Sequence, residues 1–345
     1  MKYETFCVTS EMSIKEAMKR IDDIDPKILF VMEQGKLIAS LTDGDIRRYL
    51  FSGGKLEDAC IAAANRNPRL AFTEEQAASL YHSKHFVAIP VVDEDQRLRS
   101  IYFGTGHVDK VEAALDLPVV INAGGKGSRL EPYTKVLPKP LIPVGELPII
   151  EHIMQRFEEY GCNRFSIIVN YKKELMKAYF QENERKYDIR WYDEQLPLGT
   201  GGGLGYLRNR IQGTFFFSNC DTVILADYES MLQFHRENRN MVTMVCAYKT
   251  FRIPYGVIEM GMQGRIEKIQ EKPELSFLTN TGVYLLEPEV FDYIGEEENV
   301  GFPEVIDRIR ADGGKVAIFP ISENDWLDMG QHSELERMRL RLYGE

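Results

Sequence analysis

The run Val119-Val120-Ile121-Asn122-Ala123 passes straight into Gly124-Gly125-Lys126-Gly127, and this junction constrains the fold more than any other part of the 345-residue chain. A continuous apolar strand is one buried on both faces of a sheet. Glycines placed directly after it let backbone amides approach an anion as closely as possible. The same texture continues from Pro118 onward. Strands are expected at Phe165 to Asn170, Thr214 to Ser218, Met241 to Ala247, Gly282 to Leu286 and Val316 to Phe319, with shorter ones at Ile189 to Tyr192 and Tyr255 to Glu259. Amphipathic helices are expected at Ile149 to Tyr160, Lys172 to Arg185, Tyr228 to Glu237 and Pro303 to Ala311. Such alternation marks an α/β sheet covered by helices on both faces.

The first 115 residues read differently, and the chain is too long for one core, since single cores stop growing at roughly 250 to 300 residues. Two domains are expected, residues 1–115 and 116–345. The first contains two similar halves about 60 residues apart, each a helix followed by two strands. In the first half Ser13 and Glu16 stand at capping-box spacing before the apolar positions Ile14, Ala17, Met18 and Ile21. Strands Ile28 to Met32 and Leu37 to Leu41 follow, and Thr42-Asp43-Gly44-Asp45 opens another helix. In the second half Thr73 and Gln76 form the cap, and strands are expected at Val87 to Val92 and Leu98 to Phe103.

A formal net charge of −11 speaks against a general nucleic-acid binder, which needs clustered Lys and Arg to displace counterions. An anionic ligand must therefore be held by a local cluster. Five cysteines without a C-x-x-C pair suit reduced thiols used in packing. The start of the chain lacks a signal-peptide apolar region, and no run of about 18 apolar residues occurs. A cytoplasmic protein without a membrane span is the expectation.

The glycine loop is not a dinucleotide fingerprint, because Leu130 stands where the third glycine belongs, and it lacks the G-K-[ST] of a P-loop. Its continuation, Ser128-Arg129-Leu130-Glu131-Pro132-Tyr133-Thr134-Lys135-Val136-Leu137-Pro138-Lys139-Pro140-Leu141, resembles the nucleotide-sugar pyrophosphorylases, the sugar-1-phosphate nucleotidyltransferases. Every fixed position of that family's G-G-x-G-x-R-L-x-P-x-T-x-x-x-P-K-P-L is met. Further segments over residues 118 to 335 resemble the family in order. They are Leu198-Gly199-Thr200-Gly201-Gly202, Asn219-Cys220-Asp221, Tyr255-Gly256-Val257-Ile258-Glu259, Glu271-Lys272-Pro273, Asn280-Thr281-Gly282 and Trp326-Leu327-Asp328-Met329-Gly330. Gly201 replaces the more usual alanine.

The resemblance implies a Rossmann-like mixed-sheet nucleotidyltransferase domain of the GT-A-like kind, and it implies roles. Ala123, Gly124, Gly125, Gly127, Gly199 and Thr200 would hold the nucleotide. Arg129, Lys139 and Lys272 would be catalytic. Tyr255, Gly256, Glu271 and Asn280 would line the sugar pocket, and Asp221 and Asp328 would bind Mg2+. Taken singly, Asp221 reads more readily as a helix cap and Glu271-Lys272 as a solvated charge pair; together and in order, the segments reverse that.

The reaction is an attack by a sugar phosphate oxygen on the α-phosphorus of a nucleoside triphosphate, and both partners are anions. Two unit charges about 6 Å apart repel by roughly 3 kcal/mol at an effective dielectric near 20. Several cations are therefore needed, whereas a general base is not, because the phosphate is already ionised near pH 7. His152 and His235 are accordingly read as helix-surface or packing residues.

The N-terminal halves resemble a tandem pair of CBS modules, carried by Leu41-Thr42-Asp43-Gly44-Asp45-Ile46-Arg47. In that family Thr42 and Asp45 would grip the ribose of a regulatory nucleotide. Equally, Thr42 caps a helix with Asp45 in its first turn. The corresponding Tyr102-Phe103-Gly104-Thr105-Gly106-His107 departs from the pattern, so one nucleotide site is expected.

Pro138 to His152 resembles the mannose- and heptose-type guanylyltransferases. A CBS pair ahead of this domain resembles the glucosamine-1-phosphate guanylyltransferases of bacterial legionaminic acid synthesis, a nonulosonic acid pathway. GTP is the expected donor, ahead of UTP or dTTP, and a homo-oligomer is expected. Two readings compete: a nucleotide-sensing protein without activity, and a glycosyltransferase, which usually carries D-x-D where this chain has Asn219-Cys220-Asp221.

Overall fold

A computed structural model describes residues 3–83, 88–103, 114–182 and 187–343. The chain forms two compact units, Met1–Val111 and Glu112–Glu345. The expected starting residue Val87, the helix end at Arg185 and the segment Gly104 to His107 lie outside the described residues.

In the first unit, β1 (Cys7–Thr9), β2 (Ile28–Glu33) and β3 (Lys36–Thr42) form one small sheet in that order. Helix α1 (Ile14–Asp22) begins at a complete capping box: the Glu16 amide donates to Ser13 Oγ, and the Ser13 amide donates to the Glu16 carboxylate. Ile14, Ala17 and Ile21, spaced on one face, are buried under it, as helical periodicity requires. Helix α2 (Asp43–Phe51) follows β3 directly. The second half supplies α3 (Glu74–Ser83) and the antiparallel pair β4 (Ile89–Val92) and β5 (Leu98–Tyr102).

The second unit is built on a seven-stranded sheet. Its strands are β6 (Val119–Ala123), β7 (Arg164–Val169), β8 (Asp188–Asp193), β9 (Phe215–Asn219), β11 (Val242–Arg252), β14 (Glu274–Leu286) and β15 (Val316–Ser322). Two further short strands, β10 (Thr222–Ile224) and β16 (Trp326–Asp328), pair with each other, as do β12 (Val257–Met260) and β13 (Ile266–Gln270). The sheet order is β8-β7-β6-β9-β14-β11-β15, with β14 antiparallel to both its neighbours and the other pairings parallel.

Helices α4 (Ile149–Glu158), α5 (Lys173–Glu182), α6 (Tyr228–Glu237), α7 (Phe302–Ala311) and α8 (His332–Tyr343) complete the unit. Two cores lie on opposite faces of the sheet, and the period-two alternation of a strand divides its residues between them. Val119, Ile121 and Phe216 join one core, where Phe216 meets Phe157 of α4 with ring centroids 5.2 Å apart. Val120, Phe215 and Phe217 join the other, where Phe217 meets Phe302 of α7, also at 5.2 Å.

The elements expected from sequence agree to within a few residues except for two. Strands β11 and β14 run well past their expected limits, to Arg252 and back to Glu274. The sequence reading stopped where the buried apolar pattern stops. Hydrogen bonding continues beyond it, as an exposed hairpin. Among the described residues no helix is long and apolar enough to cross a membrane.

Candidate active site

Strands β6, β8 and β9 end at one place. Asn122 of β6 lies opposite Asn219 of β9, and Ala123 opposite Val169 of β7. The crevice beyond the carboxyl ends of such strands is where α/β sheets bind ligands. Here it encloses about 370 Å3 and is lined by Gly124, Gly125, Arg129, Lys139, Glu194 and Asp221, among others.

The loop leaving β6 is fastened at both ends. Leu130 is fully buried, and Thr134 Oγ1 donates to the Gly127 carbonyl at 3.1 Å. Gly127 has φ +65°, and a Cβ there would lie 3.0 Å from both Lys139 Cβ and Thr134 Cγ2. Only glycine meets both conditions without displacing a neighbour. A Cβ on Gly124 would lie 2.5 Å from the Glu194 carboxylate, so this position is fixed by close approach rather than by backbone angle.

Pro138 leads into the single turn Lys139–Leu141, which holds the Lys139 side chain in the interior. Its ammonium is paired with the Asp221 carboxylate, just beyond the end of β9. Arg129 stands exposed at the mouth, and among the described residues it makes no ion pair. On the far wall, the Asn122 side-chain amide donates to the carbonyls of Gly199 and Thr200 at 3.5 and 3.3 Å. The Thr200 hydroxyl accepts from the Phe302 amide at 2.9 Å, which ties this segment to α7.

Asp328 reaches the same region through the pairing of β10 with β16. Thr222 lies opposite Asp328, and the Met329 amide donates to the Asp221 carbonyl at 2.8 Å. Burial, and then the negative charge of Asp221, pushes the Asp328 carboxyl up to about 6. The donors offered are two carboxylates, and the described residues contain no cluster of three or more His, Cys, Asp or Glu suited to a metal. An all-oxygen, half-filled set of this kind fits Mg2+, which keeps several waters and takes its remaining ligands from substrate phosphates.

Glu194 was missed by the sequence reading. It follows directly on β8, is 5% exposed, and its Oε1 has no hydrogen-bond partner. Burial pushes its carboxyl up to about 7. The signal available was positional, because an acidic residue immediately after a strand expected to end beside the loop belongs at the crevice.

The remaining candidates lie elsewhere. Tyr255, Gly256, Glu271 and Lys272 do not line the cavity but sit on the exposed hairpin, where Lys272 and Glu271 pair at 4.0 Å. Asn280 donates to the Tyr284 hydroxyl at 2.6 Å and accepts from the Gly282 amide at 3.0 Å. In the first unit, Thr42 and Asp45 are bonded to each other. The Asp45 amide donates to Thr42 Oγ1 at 3.2 Å, and the Thr42 amide and hydroxyl donate to Asp45 Oδ2 at 2.9 and 2.6 Å. The oxygens that would grip a ribose thus already cap α2. His235 is buried between Thr243 and Glu287, and His152 meets the Val144 carbonyl at 2.9 Å. Four of the five cysteines are buried.

The family profile described as nucleotidyl transferase matches residues 118–343, the whole region that builds this site. The chain belongs to the nucleotidyl transferase family. A CBS domain profile matches residues 1–52, so the first half of the N-terminal unit is a CBS domain.

Mannose-1-phosphate guanylyltransferase 1 of Arabidopsis thaliana is 31% identical over 224 residues, covering 62% of each chain. The UTP–glucose-1-phosphate uridylyltransferase of Synechocystis is 29% identical over 244 residues, covering 62% of this chain and 60% of its own. The chain thus spans about three fifths of the length of these relatives. Among solved structures, HddC from Yersinia pseudotuberculosis superimposes with a TM-score of 0.52 at 22% identity, over 65% of this chain and 98% of that one. HddC has also been solved in complex with GMP-PN.

Proposed function

We propose that this chain transfers a nucleoside monophosphate from GTP to a sugar 1-phosphate in the cytoplasm and releases pyrophosphate. The observation that carries the reading is the Lys139–Asp221 pair at the carboxyl end of β9, faced by Arg129 and bounded by the glycine loop. Here Arg129 and Lys139 stand beside Asp221 and Glu194 where three strand ends meet the glycine loop.

In the reaction a sugar phosphate oxygen bonds to the α-phosphorus, and the bond from that phosphorus to the bridging oxygen breaks, its electrons leaving with pyrophosphate. No proton transfer is needed. Lys139 would place its charge at the reacting phosphates and Arg129 at the departing ones, so catalysis rests on positioning and electrostatic preorganisation. Asp221 and Asp328 would hold Mg2+, which would supply a Lewis acid that neutralises phosphate charge. Lys272, Glu271, Tyr255 and Asn280 would meet the sugar side of the substrate, which requires the hairpin that carries the first three to approach the cavity.

In its ionised form, above about pH 7, Glu194 would favour guanine. A carboxylate accepts from two adjacent N–H donors, which the pairing edge of guanine presents side by side. Uracil and thymine present one N–H between two carbonyl oxygens, which a carboxylate repels. The printed names of relatives include both guanylyl- and uridylyltransferases, so UTP is the second reading. The CBS domain ahead of the transferase favours glucosamine 1-phosphate as acceptor, in nonulosonic acid synthesis. A nucleotide at Thr42 and Asp45 would tune the activity.

The test is a pyrophosphate-release screen over nucleoside triphosphates and sugar 1-phosphates with Mg2+. Release with GTP and glucosamine 1-phosphate, and a shift of preference toward UTP in Glu194→Gln, are expected. Release with UTP alone would overturn the donor assignment. Nucleotide binding without release from any pair would leave the chain a sensor.

A further inference from the structure

A second cavity lies at the opposite end of the sheet. Strands β6 and β8, whose carboxyl ends help to build the crevice, begin beside it. At the rise of a parallel strand, about 17 Å separates Asp188 from Asp193 at the two ends of β8. The cavity encloses about 350 Å3 and shares no lining residue with the crevice. That size suits a small molecule.

Three arginines line it, and the strand register explains two of them. Arg164 lies opposite Asp188, and Ser166 opposite Arg190, so all four share one face of β7 and β8. Tyr192, two residues further along the same face, belongs with Ile211 to the second core. The apolar core ends there and the cationic wall begins. Arg210 closes the far side, its guanidinium 5.4 Å from the centre of the Tyr192 ring, where the ring face attracts the cation.

The charges in this wall do not balance. Three guanidiniums are met by one lining carboxylate, Asp188, on a chain of net charge −11. Asp116, outside the wall, engages Arg164 through Nη2 alone, at 3.2 Å. Among the described residues Arg190 and Arg210 make no ion pair.

We propose that this cavity binds the phosphate group of a small phosphorylated metabolite, at a site separate from the crevice. A phosphate monoester carries nearly two negative charges near pH 7 and three terminal oxygens, which matches three guanidinium forks offset by one carboxylate. A carboxylate ligand offers one charge and two oxygens. The buried Phe165, Tyr192 and Ile211 form the apolar part of the wall and meet the organic part of the ester, which free phosphate lacks.

The proposal is independent of the proposed reaction, and its test reads the arginines rather than turnover. The full chain is treated with phenylglyoxal in the presence of ribose 5-phosphate, inorganic phosphate or ribose, and the modified arginines are mapped by mass spectrometry. Ribose 5-phosphate is expected to slow modification of Arg164, Arg190 and Arg210 roughly tenfold, the effect of losing one charge-assisted bond. Inorganic phosphate and ribose at the same concentration are expected to leave them unchanged, as is Arg239, exposed elsewhere in the unit. In the double variant Arg190→Gln/Arg210→Gln, both at exposed positions, Arg164 is expected to lose its protection. Equal protection by inorganic phosphate would assign the cavity to the free ion and overturn the ester. Absence of protection with every probe, or protection of Arg164 that survives the double variant, would overturn the site.

Discussion

Lys139 and Asp221 meet as an ion pair inside the crevice, with their side chains only 10% and 15% exposed. Charges so placed depend on each other, because removing one partner leaves the other buried and uncompensated. Lys139→Ala and Asp221→Ala are each expected to lower turnover a hundredfold or more, and each to lose a few kcal/mol of stability. The double variant Lys139→Met/Asp221→Leu is expected to be more stable than either single one. Denaturant unfolding of all three decides this. Stability losses that simply add would show that the pair is not a coupled unit.

Ionisation of Glu194 costs the fold stability. Burial holds its carboxyl neutral up to about 7, while in the unfolded chain it ionises near the ordinary value for glutamate, about 4.3. The folded state therefore binds the extra proton between those values, and its stability falls as pH rises through that window and levels off above it. Glu194→Gln removes this loss. The variant is expected to gain thermal stability over the wild type at pH 8 and to show little gain at pH 4. Equal gains at both would mean that the carboxylate is not held neutral.

Much of this was legible beforehand, for reasons that differ from residue to residue. The loop from Gly124 to Lys139 could be read because its constraints are local: a left-handed Gly127 and a buried turn at Pro138 write themselves into consecutive residues. The convergence of Asp328 on Asp221 was available only through resemblance, since it depends on two short strands distant in sequence pairing. Glu194 carries no motif of its own, because one carboxylate beside a strand end looks like any solvated charge until its surroundings close over it. Of the hairpin, one strand was read at Tyr255 to Glu259, while the outward extensions of β11 and β14 were not, because the buried apolar pattern ends before them.

The bonds between Thr42 and Asp45 make a prediction about the N-terminal unit. Asp45→Ala removes the acceptor for the Thr42 amide and also the 2.5 Å partner of Arg48. A loss of about 1 kcal/mol in the stability of that unit is expected, the usual cost of a helix cap. If a nucleotide also binds there, calorimetry on the full chain with AMP or GMP would lose its heat in the same variant. Binding that survives Asp45→Ala would place the nucleotide elsewhere.

Gly127→Ala tests whether the loop is preorganised. Two costs fall on one methyl group, a left-handed backbone at φ +65° and contacts of 3.0 Å with Lys139 and Thr134. The first alone costs on the order of 1–2 kcal/mol for a non-glycine residue. The second can be relieved only by moving Lys139, whose ammonium is held by Asp221, or Thr134, whose hydroxyl closes the loop on the Gly127 carbonyl. Either movement displaces Lys139, the group proposed to meet the phosphates, or the loop beside it, so turnover is expected to fall tenfold or more while the nucleotide is still bound. Gly125→Ala is the control, since a Cβ there meets nothing within 4 Å and would stand in the path of the ligand instead. It should weaken nucleotide affinity and spare stability. Comparing unfolding curves and GTP affinities of the two variants separates strain from obstruction, and identical profiles would refute a loop held rigid by its contact with Lys139.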